Sequence, residues 1–201
     1  MNYLLKTQFG WCGIVFDDAV REIVLPSPDK QKVLQRLRNR GYSTNPDGFS
    51  EREPEGTASS EPGTGKIHSV KFRKSKPATG FLKGLRRYFN GEKVDFRCGI
   101  DLRDYSNFEQ AVYKTLMAIP YGRVRTYQWV AQKAGSPRAS RAVGNALAKN
   151  PLPIIIPCHR VIKSDGSLGN FSAIGGAKLK KKLLEMEKAS PKEFGMAEER
   201  Y

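Results

Sequence analysis

The chain is poor in the residues that bind soft metals or build disulfide frameworks. It has two histidines, His68 and His159, and three cysteines, Cys12, Cys98 and Cys158, in 201 residues, with no Cys-x-x-Cys pair. Four zinc ligands would have to be gathered from distant, unpatterned positions, so no structural metal site is expected. An odd number of scattered cysteines gives no disulfide framework, and Cys12 and Cys98 are expected to pack in the core. No run of eighteen apolar residues occurs, so no transmembrane helix is expected. Residues 1–15 carry one lysine and no cleavage signature behind an apolar run, which is not the pattern of a signal peptide. The expected location is intracellular, in the cytoplasm.

Acidic residues are also scarce where they would matter most. Across residues 111–184 thirteen Lys and Arg face a single acid, Asp165, and the whole chain carries a formal net charge of +15 with a pI near 9.9. Such an excess favours a polyanionic partner, nucleic acid first and an anionic membrane surface second. Lysine-rich surfaces also serve solubility, and charge does not choose between DNA and RNA.

Two parts are expected, an α/β domain over residues 1–98 and a helical domain over 99–201. Residues 3–9, 12–16 and 21–25 have the short alternating character of strands, with Gly10 and Asp17-Asp18 as turn signals. Val33, Leu34 and Leu37 are spaced for a helix over 29–40 that Gly41 closes. Residues 42–65 are rich in Gly, Pro, Ser and Glu without periodicity, and are expected to form a flexible insertion. A strand over 67–72 and a helix over 79–89 follow. In the second part Asn107 is placed to cap a helix reaching Met117, with Phe108, Val112, Leu116 and Tyr113 inward. Thr126 is placed to cap a second helix, carrying Trp129 and Val130 and ended by Gly135. Ser136-Pro137 reads as the start of a third over 138–148, with serine as cap and proline in the first turn. A last helix spans 177–188 with Leu179, Leu183 and Met186 on one side.

The second and third of these helices, joined through Ala134-Gly135-Ser136-Pro137, match a helix-turn-helix plan. The third carries Ala139, Ala142, Val143, Gly144 and Ala146, with Arg138 and Arg141 projecting. Small side chains let a helix approach a groove closely, and arginine adds hydrogen bonds and stacking. Helical hairpins also serve packing alone, and the charge count raises the weight of nucleic-acid binding against packing.

The sharpest signal is Asn150-Pro-Leu-Pro-Ile-Ile-Ile-Pro-Cys-His-Arg-Val-Ile162. Three prolines restrict the backbone around an apolar run and deliver Cys158 beside His159 and Arg160. A thiol becomes a nucleophile when its proton is removed or its pKa lowered, and histidine is the usual agent. An arbitrary Cys-His pair is more often a buried cysteine beside a surface histidine. The surrounding pattern changes that.

Pro157-Cys158-His159-Arg160-Val161 stands in a wider pattern of Tyr121-Gly122, Thr126-Tyr127, Arg141-Ala-Val-Gly144, Asn150-Pro151, Gly169-Asn170 before Ser172, and Leu183-Leu-Glu-Met-Glu187. This stretch, residues 107–188, closely resembles the O6-alkylguanine-DNA alkyltransferases (methylated-DNA–protein-cysteine methyltransferases). The N-terminal part is similar to that family in layout only, which implies a ribonuclease-H-like α/β domain ahead of a mainly α domain with a helix-turn-helix.

The resemblance implies direct reversal of DNA damage: an alkyl group passes from O6 of guanine to Cys158, once per molecule, without cofactor or metal. It makes His159 the base, acting through water, and Glu187 the acid that orients it, with Glu185 the nearby rival. Asn150 becomes a hinge residue, and it also suits the end of a helix before proline. Arg141 becomes the finger that replaces an extruded nucleotide, and Tyr127 crowds the neighbouring phosphate and reaches purine N3. Arg138, Ala142 and Thr126 join the DNA-binding face, and Val161, Asn170, Phe171 and Ser172 line the base pocket. Phe171 departs from the tyrosine common in the family, keeping an aromatic wall and losing a hydroxyl. The implied partner is double-stranded DNA, entered from the minor groove by a monomer; no membrane is involved. A Cys-His hydrolase, whose histidine usually lies far from its cysteine, is the rival enzyme. A base-flipping module without chemistry is disfavoured by the presence of Cys158, and a regulator by the lack of a cysteine-rich sensor domain.

Overall fold

A computed structural model describes residues 2–16, 19–44, 49–50, 70–71, 77–96, 99–100 and 102–189. The chain forms two compact units, Met1–Asp104 and Tyr105–Tyr201. The expected Asp17-Asp18 turn, most of the 42–65 insertion, and the positions of His68 and Cys98 lie outside the described residues.

The first unit is a small sheet with helices. Strands β1 (Asn2–Thr7), β2 (Gly10–Phe16) and β3 (Ala19–Ser27) form an antiparallel meander. With β4 (Phe49–Ser50), β5 (Val70–Lys71) and β6 (Gly99–Ile100) they make one sheet of order β4-β1-β2-β3-β5-β6. Helix α1 (Lys30–Arg38) is capped by Asp29, whose carboxylate accepts from Gln31 N at 2.9 Å. It buries Val33, Leu34 and Leu37, the spacing read from the sequence. Its close approach needs Gly13 on β2, where a Cβ would lie 2.9 Å from a Val33 methyl. Helix α2 (Pro77–Phe89) turns Phe81, Leu82, Leu85, Tyr88 and Phe89 inward. Cys12 is fully buried in this unit's core.

The second unit is mainly helical: α3 (Asn107–Met117), β7 (Arg125–Thr126), α4 (Tyr127–Lys133), α5 (Ser140–Ala148), β8 (Val161–Ile162) and α6 (Gly176–Met186). Two sequence-based boundaries change. Ser106, not Asn107, caps α3: its hydroxyl accepts from Glu109 N while the Glu109 carboxylate accepts from Ser106 N. Glu109 stands three residues after Ser106, and that reciprocal box decides the start. Helix α5 begins at Ser140 and not near Arg138, because Ala139 N bonds back to Ser136 O in a separate turn that takes up Ser136-Pro137. Thr126 does cap α4, accepting from Trp129 N at 3.0 Å. The Tyr113 hydroxyl donates to Ala146 O at 2.9 Å and ties α3 to α5. The parallel pairing Arg125↔Val161 and Thr126↔Ile162 sets the start of α4 beside the segment that follows Cys158. No helix among the described residues is long and apolar enough to cross a membrane.

One buried ion pair in the first unit makes stability depend on pH. Glu22 on β3 is 5% exposed and lies 2.6 Å from Arg40. Burial outweighs the Arg40 and Arg36 charges and pushes its carboxyl up from 4.5 to about 7. A carboxyl raised on folding stabilises the fold while it keeps its proton. That contribution is complete below pH 4.5 and gone above about pH 7. Wild-type stability in urea is therefore expected to fall relative to Glu22→Gln by on the order of 2–3 kcal/mol between about pH 5 and 8. A difference that stays constant over that range would show that Glu22 ionises freely.

Candidate active site

The segment after α5 is held by one side chain. Asn150, 8% exposed, donates from Nδ2 to Ile156 O at 2.8 Å and accepts at Oδ1 from Leu152 N at 3.0 Å. These bonds close the proline-rich loop on itself. Within it Ile154 adopts φ +78°, a left-handed conformation that costs a β-branched residue about 1–3 kcal/mol. The loop runs into a 3-10 turn, Cys158–Arg160, where Cys158 N bonds Ile156 O and Arg160 N bonds Pro157 O. A tight turn stacks three consecutive functional side chains in a small volume, and all three are buried.

His159 is 0% exposed, so the expectation of a surface histidine for an ordinary Cys-His pair fails here. Its Nε2 lies 2.9 Å from Glu187 Oε1. With the carboxylate ionised, Nε2 carries the proton and the buried Nδ1 is left as the basic nitrogen. Burial pushes the imidazole below its ordinary value, with Arg160 and Lys180 acting in the same direction; Glu187 opposes them and does not prevail. The ring is neutral at physiological pH.

Glu187, just beyond α6, is the carboxylate that meets His159, and Glu185 is not. Glu185 stays exposed, 3.7 Å from Lys181. Glu187 Oε1 also accepts from Arg160 Nη2 at 2.9 Å, and Oε2 accepts from Arg160 Nε at 2.9 Å and from Gly122 N at 3.1 Å. Burial alone would raise this carboxyl; the bonds and charges of His159 and Arg160 overcome that and hold it well below the usual range. Gly122 has φ +74°, and a Cβ there would stand 2.9 Å from Glu187 O. Glycine is thus required both by the backbone conformation and by the close approach.

Two basic residues complete this site: Arg160, which the sequence placed beside Cys158 without a role, and Lys180, which it did not single out. Arg160 also donates from Nη1 to Ile119 O at 2.7 Å and lies 5.8 Å from the centre of the Tyr121 ring. Lys180 on α6 is fully buried and donates to Val161 O at 2.5 Å and to Leu168 O. Its ammonium is 5.8 Å from the Tyr127 ring and 5.9 Å from Phe171. Burial pushes it down to about 8, against the influence of Cys158. The sequence signal was present: Lys180 directly follows Leu179 and precedes Leu183 by three, on the inward side of the helix.

The thiol feels opposing forces. Burial pushes Cys158 up, while Asn150, the Lys180 charge and the backbone N–H groups of the turn pull it down; burial prevails. Tyr127 comes close to Gly169 and Gly144, where added Cβ atoms would meet its ring or hydroxyl at 3.1 Å and 3.9 Å. The Tyr127 and Phe171 rings flank the Lys180 ammonium, and Tyr127 and Lys180 both interact electrostatically with Cys158. Val161 is buried, Phe171 half-buried, and Asn170 and Ser172 exposed, with Ser172 Oγ 3.4 Å from Ala148 O. Arg138, Arg141 and Ala142 are exposed on the turn and first part of α5, and Thr126 is engaged as the α4 cap. No group of three or more His, Cys, Asp or Glu among the described residues could hold a metal ion.

Residues 107–189 match the family model described as 6-O-methylguanine DNA methyltransferase, DNA binding domain. The chain is 46% identical over 109 residues to a methylated-DNA–protein-cysteine methyltransferase of Saccharolobus islandicus, covering 54% of this chain and 68% of that protein. It is 45% identical over 111 residues to the protein of that name from Mycobacterium bovis, covering 55% of this chain and 66%, just under two thirds, of the relative. A crystal structure of Mycobacterium tuberculosis OGT in complex with DNA matches with TM-score 0.64 and 29% identity over 93% of this chain and 92% of that one. The O6-methylguanine-DNA methyltransferase of Pyrococcus kodakaraensis matches with TM-score 0.63 and 25% identity over 93% and 99%.

The grip of Asn150 on this loop is open to test. Asn150→Asp keeps the acceptor for Leu152 N but sets an oxygen against Ile156 O and a negative charge near the thiol. A loss of about 1–3 kcal/mol in stability is expected. Carbamidomethylation of Cys158 by iodoacetamide, followed by peptide mass mapping, should shift to higher pH. An unmoved profile would mean that Asn150 does not act on the sulfur.

Proposed function

The chain belongs to the methylated-DNA–protein-cysteine methyltransferase family, and from that premise we propose that it repairs O6-alkylguanine in DNA by transferring the alkyl group to Cys158. The observation that carries this reading is the buried Cys158–His159–Glu187 sequence of groups, in which a carboxylate fixes a neutral imidazole beside a cysteine.

In this reading the thiol proton passes through a bridging water to His159 Nδ1, and Glu187 stabilises the imidazolium that forms. The thiolate attacks the alkyl carbon in line. A carbon–sulfur bond forms, the carbon–O6 bond breaks, and its electron pair leaves with guanine. Tyr127 donates a proton at N3 as the base gains charge, and recovers it from solvent. The product thioether has no route back to thiol, so each molecule acts once and needs no cofactor. Lys180 supports the thiolate electrostatically and, through Val161 O and Leu168 O, holds the pocket wall.

DNA is engaged by the α4–α5 hairpin as a helix-turn-helix in the minor groove, with Ala142 on the approaching face. Arg141 enters the stack, and Arg138 and Thr126 lie along the backbone. The flipped base is received by Val161, Asn170, Phe171 and Ser172, because a thiolate cannot reach O6 in line within the duplex. The unit carrying the six-stranded sheet is a ribonuclease-H-like domain that runs past the expected boundary at 98 to take in β6, and the acceptor domain follows it. The protein acts as a monomer.

Incubation with duplex containing O6-methylguanine is expected to add one methyl per chain, mapped to Cys158 and absent from Cys158→Ala. Unmodified wild-type protein would overturn the assignment. Arg141→Ala should slow transfer from duplex about tenfold or more, since each 1.4 kcal/mol lost in base extrusion costs a factor of ten, while iodoacetamide still labels Cys158 at the wild-type rate. Equal transfer rates would remove Arg141 from the extrusion step.

A further inference from the structure

The relay from Glu187 to Cys158 accounts for one hydrogen bond to the carboxylate, yet the carboxylate is held mainly by another residue. Arg160 engages both of its oxygens, Nε on Oε2 and Nη2 on Oε1, each at 2.9 Å. Its remaining Nη1 is fixed on Ile119 O at 2.7 Å. The guanidinium is thus tied at all three nitrogens, and Oε1 is shared between Arg160 and His159. Buried ion pairs of this kind bring little net stability. Their clearest effect is on the groups they touch.

We propose that Arg160 is a positioning residue for alkyl acceptance: its fork holds Glu187 in place and offsets its charge, keeping His159 neutral and in the tautomer whose Nδ1 can take a proton. The inference rests on the repair reading for its chemistry. The geometry that carries it, however, belongs to the protein alone.

The direction follows from electrostatics. A carboxylate 2.9 Å from an imidazole favours the imidazolium, which cannot act as a base. A guanidinium on the same carboxylate cancels much of that field. The other groups facing His159 or its partners are Lys180 from α6, which also disfavours the imidazolium, the adjacent Cys158, and the Tyr121 phenol beside Arg160 and Glu187. Arg160 is the only one among these that touches Glu187 with a full positive charge. Its removal should let His159 take a proton at higher pH. Lysine in its place would keep the charge and lose the fork.

The full chain has two histidines, so NMR of isotope-labelled histidine resolves His159 once His68→Gln has assigned the other. In Arg160→Gln the His159 titration is expected to move up by about one pH unit, and the acid limb of the single-turnover methyl-transfer profile should move with it. Arg160→Lys should titrate close to wild type, yet transfer several-fold more slowly. A merely structural arginine would lower the melting temperature or scale all rates without moving either profile, and that result overturns the proposal. Should Arg160→Gln not fold, Arg160→Lys decides: an undiminished rate means that the fork is not needed. A shifted His159 titration in Arg160→Gln, with no methyl accepted by the wild-type protein, would leave Arg160's hold on Glu187 and His159 standing and sink the repair reading instead.

Discussion

A single carboxylate gathers the second unit's chemistry. Glu187 stands at the end of α6 and receives hydrogen bonds from His159 and Arg160 in the 3-10 turn and from Gly122 ahead of β7. Segments far apart in sequence are thereby tied at one buried point. A buried anion without donors would be very costly, so these segments cannot separate without exposing that cost. The same bonds that order the backbone also fix the imidazole. In this chain the structural and the chemical roles of the residue are inseparable.

From that point the other constraints extend outward. The β7–β8 pairing couples Thr126, and with it the start of α4, to the strand that follows the cysteine turn. Tyr113 couples α3 to α5, and Asn150 couples the end of α5 to the loop before Cys158. The helical hairpin and the reactive turn are therefore joined on both sides by hydrogen bonds rather than by loose linkers. In the proposed reaction this coupling matters, because a displaced base must meet a sulfur whose position is set to within a fraction of an ångström.

Much of this was legible in the residues. Turn signals and Gly41 placed β1–β3 and α1, since period-two and helical spacing survive translation into structure when one face is buried, whereas the two-residue strands β4 and β6 carry no such pattern and went unplaced. The Pro-Cys-His-Arg segment stood out because three prolines around an apolar run serve few purposes in an ordinary loop. What was missed has a common cause. Ser106 displaced Asn107 as a cap because a side chain three residues on answered it, and α5 started late because a turn absorbed Ser136-Pro137. Both outcomes depend on hydrogen bonds that local propensity leaves undecided. Arg160 stood in the motif beside Cys158 with no role of its own and Lys180 entered only the charge total, whereas each is buried against carbonyls or a carboxylate. Charge counts describe totals; only packing reveals which cations have left solvent.

The buried state of Cys158 poses an apparent contradiction, for a nucleophile whose burial raises its pKa is held as a thiol. The contributions around it resolve this. Asn150, Lys180 and the turn's N–H groups all favour the thiolate, and only desolvation opposes them. Desolvation penalises a naked charge, but it also strengthens every donor aimed at that charge. A thiol in this setting reacts more slowly at rest with adventitious electrophiles than an ionised one would. It gains its charge when a neutral imidazole can accept the proton, at the moment when an alkylated base closes the pocket in the proposed reaction. If the sulfur is used once, as in the proposed reaction, such restraint is an asset. The proposed reaction also needs a neutral imidazole, and under the proposal for Arg160 that need is met by the guanidinium set against Glu187.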